Sequence, residues 1–533
     1  MDVERLLLTA RTVRHLRPEQ MAHRVRLQAQ RKVVQAAPRA VEAGLRRRRT
    51  PSSGGWPDGF VPLDGRLPAG CTLEGLAAGR FTLLGQSRSV ESWRSTAPSQ
   101  LWRYHLHYWD WAWALVQGPD RLRARSVFRR LLLQWQEQTR FGRWDEWSPY
   151  VVALRAWSWC GQYDALVRGT DLDDDFVALL GVHAGYLRTH LELDVGGNHL
   201  IKDLKGLVGL AVFLRDDRLL ARTLRRLRRE VGRQILPDGG HVERAPAYHC
   251  QVLGDLVDLD GLLGRGSPDW LAAAIARMRR WLGLVLLPDG SVPLLNDGFP
   301  IATELVAALQ PGPAAPEGLT MLADTGLAIL RRGQGHVLAD VGLPCPDDLP
   351  AHAHADTLGF LLHVGTTRVV SEVGTSTYAP GAVRAFERST AAHSTVQVDR
   401  ADSTEVWGAF RAARRARPTV LRADDDGTVV VLSASHDGYR RLSGRPVHRR
   451  TWELTEDRLR IADEVVGGGD HELTVRLHGT GSDVVAAGGD WEQEQMLAAH
   501  GWEDRLPAPV LVHRAHARLP WRFEVELSTR GCS

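Results

Sequence analysis

The apolar positions of this chain fall into two patterns, and the switch between them divides the molecule. From about residue 100 to 310 their spacing is helical. LWRYHLHYWDWAWALV carries aromatic residues on most faces, as a helix buried all round does. SPYVVALRAWSWCGQY opens with Ser148 at an N-cap position and Pro149 in the first turn. NHLIKDLKGLVGLAVFLRD and PAYHCQVLGDLVDLDGLLG follow, separated by short loops with Gly or Asp. That spacing predicts stacked helical hairpins. After the Pro/Gly-rich PGPAAPEG (311–318) the runs become short, β-rich and broken by Gly or Asp, as in TLGFLLHVG, TVVVLSASH and HELTVRLHGT. They predict an antiparallel β-sandwich. Helices first and strands second, without interleaving, exclude a doubly wound α/β sheet.

Two segments precede the helices. Residues 1–50 are amphipathic and basic, ending in Arg46-Arg47-Arg48-Arg49, and read as a solvated helix plus linker, with contact to a membrane surface or a polyanion as the lesser alternative. Residues 51–100 are rich in Gly, Pro and Ser and read as a loop-rich connector. The expected organisation is therefore α+β and multidomain: 1–99 as basic segment and connector, 100–315 helical, 316–533 a β-sandwich.

Composition narrows the function classes. With 533 residues, 44% hydrophobic and 24% charged, the chain is globular and too long for one core. A net charge of +4 does not mark a nucleic-acid partner. All basic residues but Lys32, Lys202 and Lys205 are arginine, whose fork suits carboxylates and sulfates. Genome base composition gives the same bias. The 18 tryptophans suit sugar faces, but equally the cores of helical bundles, and the core reading covers most of them. Cys71, Cys160, Cys250, Cys345 and Cys532 are scattered, odd in number and without CxxC spacing, so no disulfide framework is expected. No run of 18 apolar residues predicts a membrane span, and MDVERLLLTARTVRHLRPEQ lacks a signal-peptide core, so a cytoplasmic location is the expectation.

Four clusters carry candidate chemistry. Gly196-Gly197-Asn198-His199 stands at the mouth of a helix; the glycines admit close backbone approach, and Asn198 is also a ready N-cap. LPDGGHVERAPAYHCQ contributes His241, Glu243, Arg244, Tyr248 and His249, the last two in a first helical turn. A core tyrosine with a satisfied hydroxyl is the plain alternative there. LPDGSVPLLNDG repeats the Leu-Pro-Asp-Gly loop, and its Asn296 and Asp297 read as turn-shaping residues. Lastly, His352-Ala353-His354-Ala355-Asp356 precedes Glu372, Arg388 and His393. HxH on a strand puts both imidazoles on one face, and a carboxylate plus a third imidazole would complete a zinc set.

GGNHLIKDLKGL, LPDGGHVERAPAYHCQVLGDLVDL, LPDGSVPLLNDG, HAHADTLGFLLHVG, SEVGTSTYAPGAVRAFERSTAAHSTVQVD and HDGYRRLSGRPVHRRTWELTEDRLRIADEVVG resemble successive blocks of the heparinase II/III family, in order from about residue 100 to 480. The resemblance implies an incomplete (α/α) toroid followed by an antiparallel β-sandwich. It also implies β-elimination in a uronate-containing polysaccharide, with a link to surface-polysaccharide metabolism. A neutral donor must hydrogen-bond the uronate carboxylate while other groups move the C5 and C4 protons.

Carried over by motif position, Asn198 is the carboxylate neutraliser and Tyr248 the acid/base. His199 and His352 are the histidines at the reacting sugar. Apart from that carry-over, Arg244, His249 and Arg388 are expected to contact the substrate. His354, Glu372 and His393 match the positions that hold one structural zinc in zinc-binding members; no organic cofactor is implied. Two positions depart from the family: Glu372 stands where Asp is usual, and His393-Ser394-Thr395 where His-Asn-Thr is usual. The expected partner is an acidic polysaccharide, with no nucleic acid and no oligomeric state legible. The alternatives are a metal-dependent glycan hydrolase using the HxHxD set, and a catalytically weak carbohydrate-binding protein.

Overall fold

A computed structural model of the chain describes residues 3–47, 54–143, 145–479 and 488–530. Arg48, Arg49 and Cys532 lie outside the described residues. The other four cysteines are buried and free.

The helical half forms as its periodicity predicts. Pro149–Leu166 and Gly197–Phe213 are buried on nearly every face, so their sequences are apolar all round. Asp217–Gln234 buries only Leu219, Thr223, Leu227, Val231 and Gln234, a single stripe, and carries its arginines on the rest. Inner helices thus differ from outer ones in pattern as well as place. The two inner helices approach closely at Gly206, where an added Cβ would sit 2.8 Å from the Ala153 backbone. Ser148 is the N-cap of its helix and Pro149 its first residue, but the hydroxyl makes no capping bond.

The basic segment is three helices, Val3–Val13, Pro18–Ala36 and Pro38–Arg46. The connector is less loop-rich than expected, because Thr72 caps a short helix and Arg80–Leu83 pairs with Gln86–Ser89.

The strand-rich half is antiparallel throughout its described pairings. One five-stranded sheet runs Gly318–Leu322, Leu327–Arg332, Gly335–Asp340, Phe360–Val364, Thr367–Val370. A second contains Pro418–Asp425, Val430–His436, Val447–Leu454, Arg458–Val466 and Trp521–Ser528, and a four-stranded sheet contains Val396–Val398, Asp470–His478, Glu492–Gly501 and Asp504–Arg518. Gly335–Asp340 and Phe360–Val364 are buried at every position, because one face meets the other sheets and the other meets Trp281, Val285 and Leu287. Arg458–Val466 alternates buried and half-buried residues, as a sheet with one covered face does.

The compact units do not follow the expected linear domains. The strand-rich unit comprises Met1–Leu16, Ile235–Cys250 and Ala276–Ser533; the helical unit comprises Arg17–Gln234 and Gln251–Ile275. The loop before Tyr248 therefore belongs with the strands.

Candidate active site

Asn198 and His199 lie in the helical unit. Gly196 and Gly197 both take positive φ (73° and 54°), a conformation that glycine adopts without strain. Gly196, not Asn198, is the N-cap, so the capping reading of Asn198 is excluded; it sits inside the first turn and is buried. The His199 side chain is 38% exposed, with Nδ1 3.0 Å from Glu192 Oε2 and its ring against Tyr150.

Tyr248 and His352 come together in the strand-rich unit. Their ring centroids are 3.9 Å apart, and the Tyr248 hydroxyl is 2.6 Å from the hydroxyl of Tyr378. Burial drives the Tyr378 phenol well above its ordinary pKa, so it stays protonated.

The centre of this group is Asp297. Its Oδ2 accepts from His352 Nδ1 at 2.9 Å and from Arg384 at 2.8 Å, and its Oδ1 accepts from His354 Nε2 at 2.9 Å. Burial alone would raise this carboxyl, but Arg384 and the two histidines hold it well below the usual range. An ionised carboxylate only accepts, so His352 Nδ1 and His354 Nε2 both carry hydrogen. The neutral form of His352 with that tautomer has its lone pair at Nε2. Burial lowers His354 to about 3, leaving it neutral with a lone pair at Nδ1. Asn296 completes the loop: its backbone takes a positive φ, its Oδ1 accepts from the His354 N–H, and its Nδ2 donates to the Arg244 carbonyl.

Several expectations are corrected. His352-Ala353-His354 is loop, not strand; the two rings share a carboxylate instead of a strand face. The backbone there is spent on other partners, such as Asn296 with His354 and the Arg388 carbonyl with Ala355. Asn296 and Asp297 are not mere turn residues. His249 is not a substrate contact: it is a core residue stacked on Trp281, donating from Nε2 to the Met278 carbonyl, and burial lowers it to about 3. Arg388 is buried, with its nitrogens committed to the carbonyls of Ala353, Gly408 and Arg411, so it braces a loop instead of holding substrate. Arg244 is similarly tied through NH1 to the carbonyls of Thr325 and Leu343. The arginine of this site is Arg384, four residues before Arg388. Tyr378, Asp297 and Arg384 were missed, although all lie inside blocks that carried the resemblance.

The expected metal set is only partly assembled. His354 and His393 rings are 5.3 Å apart, and His393 Nδ1 is hydrogen-bonded to Glu372. Among the described residues no three His, Cys, Asp or Glu side chains converge as ligands. Yet His354 Nδ1, Glu372 Oε1, His393 Nε2 and both Asp356 oxygens are buried without hydrogen-bond partners. These donors are of the types that zinc takes, with Asp356 beside the three residues expected, but among the described residues they do not converge.

Fold and site together define a toroid-plus-sandwich protein with a buried tyrosine–histidine pair. Residues 93–310 match the family description Heparinase II/III N-terminus, and residues 314–528 match Heparinase II/III-like, C-terminal. The chain belongs to the heparinase II/III family. Its fold is similar to a solved heparinase III (TM-score 0.74, 15% identity, 94% of this chain and 91% of that one). It is also similar to a mutant heparan sulfate lyase HepC from Pedobacter heparinus (TM-score 0.61, 17% identity, 93% and 88%). A curated relative, FtsZ-localized protein C of Caulobacter vibrioides, is 29% identical over 391 residues, 70% of this chain. The aligned region is 66% of that relative's length. No described helix is long and apolar enough to cross a membrane.

Proposed function

We propose that this protein is a polysaccharide lyase that cleaves a uronate-containing polymer by β-elimination. The observation that carries the reading is the Tyr248–His352 pair, with the His352 Nδ1–H committed to Asp297. His352 Nε2 or the Tyr248 oxygen removes the proton on C5. The electron pair forms the C4–C5 double bond, the C4–O bond breaks, and a phenol proton goes to the leaving oxygen. Tyr378, hydrogen-bonded to Tyr248, steadies that hydroxyl. In the helical unit, motif position assigns Asn198 to a uronate carboxylate, and His199, paired with Glu192, to the sugar. The test is a screen of uronate polymers for the ultraviolet absorbance of the unsaturated product. Activity that disappears in Tyr248→Phe supports the reading; full activity in that variant overturns the acid/base assignment. A surface polysaccharide made by the same cell is the proposed substrate class.

His354, Asp356, Glu372 and His393 would hold one zinc ion, which would supply structural bracing of the loop after His352. Elemental analysis of the purified chain tests this, with one zinc per chain expected and none refuting it.

A second reading follows from the curated relative's name. A role beside FtsZ, without turnover, would leave Tyr248→Phe fully functional in localisation while no polymer is cleaved.

A further inference from the structure

The first helix is turned inside out. Val3–Val13 places Val3, Leu6, Leu7, Ala10 and Val13 on one face, at the i, i+3, i+4, i+7 spacing of an amphipathic helix. That face is the exposed one: Val3, Leu6, Leu7 and Val13 are 70%, 46%, 49% and 41% accessible. The opposite, polar face does the packing. Thr12 Oγ1 accepts from Trp407 Nε1 at 3.0 Å, and Arg11 pairs with Glu405 at 3.3 Å. The next helix, Pro18–Ala36, repeats the arrangement on its own. It buries Leu27 and Val34, while Met21, Val25 and Val33, with Ala22 and Ala29 between them, form an exposed stripe. Arg24 and Arg31 border that stripe on one side and Arg26 on the other, while Lys32 lies along it.

Charge says what covers these faces. The first 50 residues hold 13 arginines and lysines against four acidic residues, while the whole chain is only +4, so the rest of the chain is net acidic. Aliphatic stripes rimmed by arginine are what an anionic lipid surface receives: the apolar side chains enter the headgroup boundary and the guanidinium groups stay at the phosphates. A second copy of this chain would instead bring like charges together.

We propose that each of these helices, taken by itself, docks through its aliphatic stripe in the plane of an anionic bilayer surface, as a peripheral contact that is independent of the lyase reading. Binding is driven by the aliphatic stripes and steered by the arginines, and it weakens as salt rises.

The test is flotation of the full chain with vesicles of phosphatidylcholine and phosphatidylglycerol, against phosphatidylcholine alone. Two double variants, Leu6→Ser with Leu7→Ser and Val25→Ser with Val33→Ser, change only exposed side chains, and unchanged thermal midpoints confirm that they fold. The chain should float with the anionic vesicles only, and each pair of substitutions should lower the partition coefficient by about tenfold or more. No flotation of the parent chain at low salt overturns the proposal. So does equal binding by the serine variants, which would reduce the contact to charge alone. A concentration-dependent dimer that Leu6→Ser with Leu7→Ser dissolves, without vesicle binding, assigns the stripe to a second copy and also overturns it.

Discussion

Two helix starts in this chain look alike in sequence and end in opposite environments. Gly197–Phe213 opens with Asn198-His199, and Pro246–Leu263 opens with Tyr248-His249. In each, a polar candidate is followed at once by histidine. His199 remains partly exposed and pairs with Glu192, whereas His249 is packed on Trp281 and closed off. Successive helical residues point about 100° apart, so a catalytic neighbour does not make a catalytic residue. What makes the Tyr248 start a site lies far along the chain, in Asp297, His352 and Tyr378.

The sharpest way to break that contrast is to remove the group that holds His352 against Tyr248. Asp297→Ala leaves Arg384 buried without its carboxylate, and should cost about 3–5 kcal/mol of unfolding free energy in denaturant titration. A cost below about 1 kcal/mol would mean that Asp297 is not the hub.

Next come the two candidates themselves. Tyr248→Phe and Asn198→Ala should each lower turnover by about 10²-fold, near 2.7 kcal/mol of barrier, on any polymer the parent cleaves. Tyr248→Phe should cost only about 1 kcal/mol of stability, from losing the hydroxyl pairing with Tyr378.

The histidines should then separate. His249→Leu should lower stability by about 1 kcal/mol and leave KM unchanged, because it removes the imidazole bond to the Met278 carbonyl, which keeps its helical partner. His199→Ala should do the reverse, reducing activity with little change in Tm. Equal effects of the two on Tm and KM would erase the distinction.

The last effect is one of pH. Burial lowers His249 to about 3, while the unfolded chain protonates it near 6.5. Between those values the unfolded state binds a proton that the native state does not, so stability falls as pH drops from about 6.5 and is complete above it. His249→Leu should flatten the stability–pH slope in that window by up to about 1.4 kcal/mol per pH unit, read from urea titrations.

Much of this was legible beforehand because periodicity reports burial. The switch from helix to strand spacing near 311–318 begins where the first family match, 93–310, ends and overlaps the start of the second, 314–528. Tyr248 and His352 were visible as chemistry-bearing types in ordered blocks. Asp297 was not, because an Asn-Asp-Gly turn is self-sufficient as local structure, and its partners are 55 to 87 residues away. Arg388 was chosen over Arg384 for a related reason. The two are four residues apart, and only packing reveals that one meets a carboxylate and the other meets carbonyls. The HxH pair misled in geometry while pointing to the right place, since alternation applies only where a ladder forms.

The docking of the first helix onto Trp407 and Ala412 spans about 400 residues of chain. At about 5–20 residues per second of synthesis, that helix leaves the ribosome roughly 20–80 s before its own seat exists. Through that interval its polar face is as bare as its apolar one. The order in which the two faces find partners is therefore set by translation: anything that recognises the aliphatic side has first access, and the strand-rich unit closes over the polar side last.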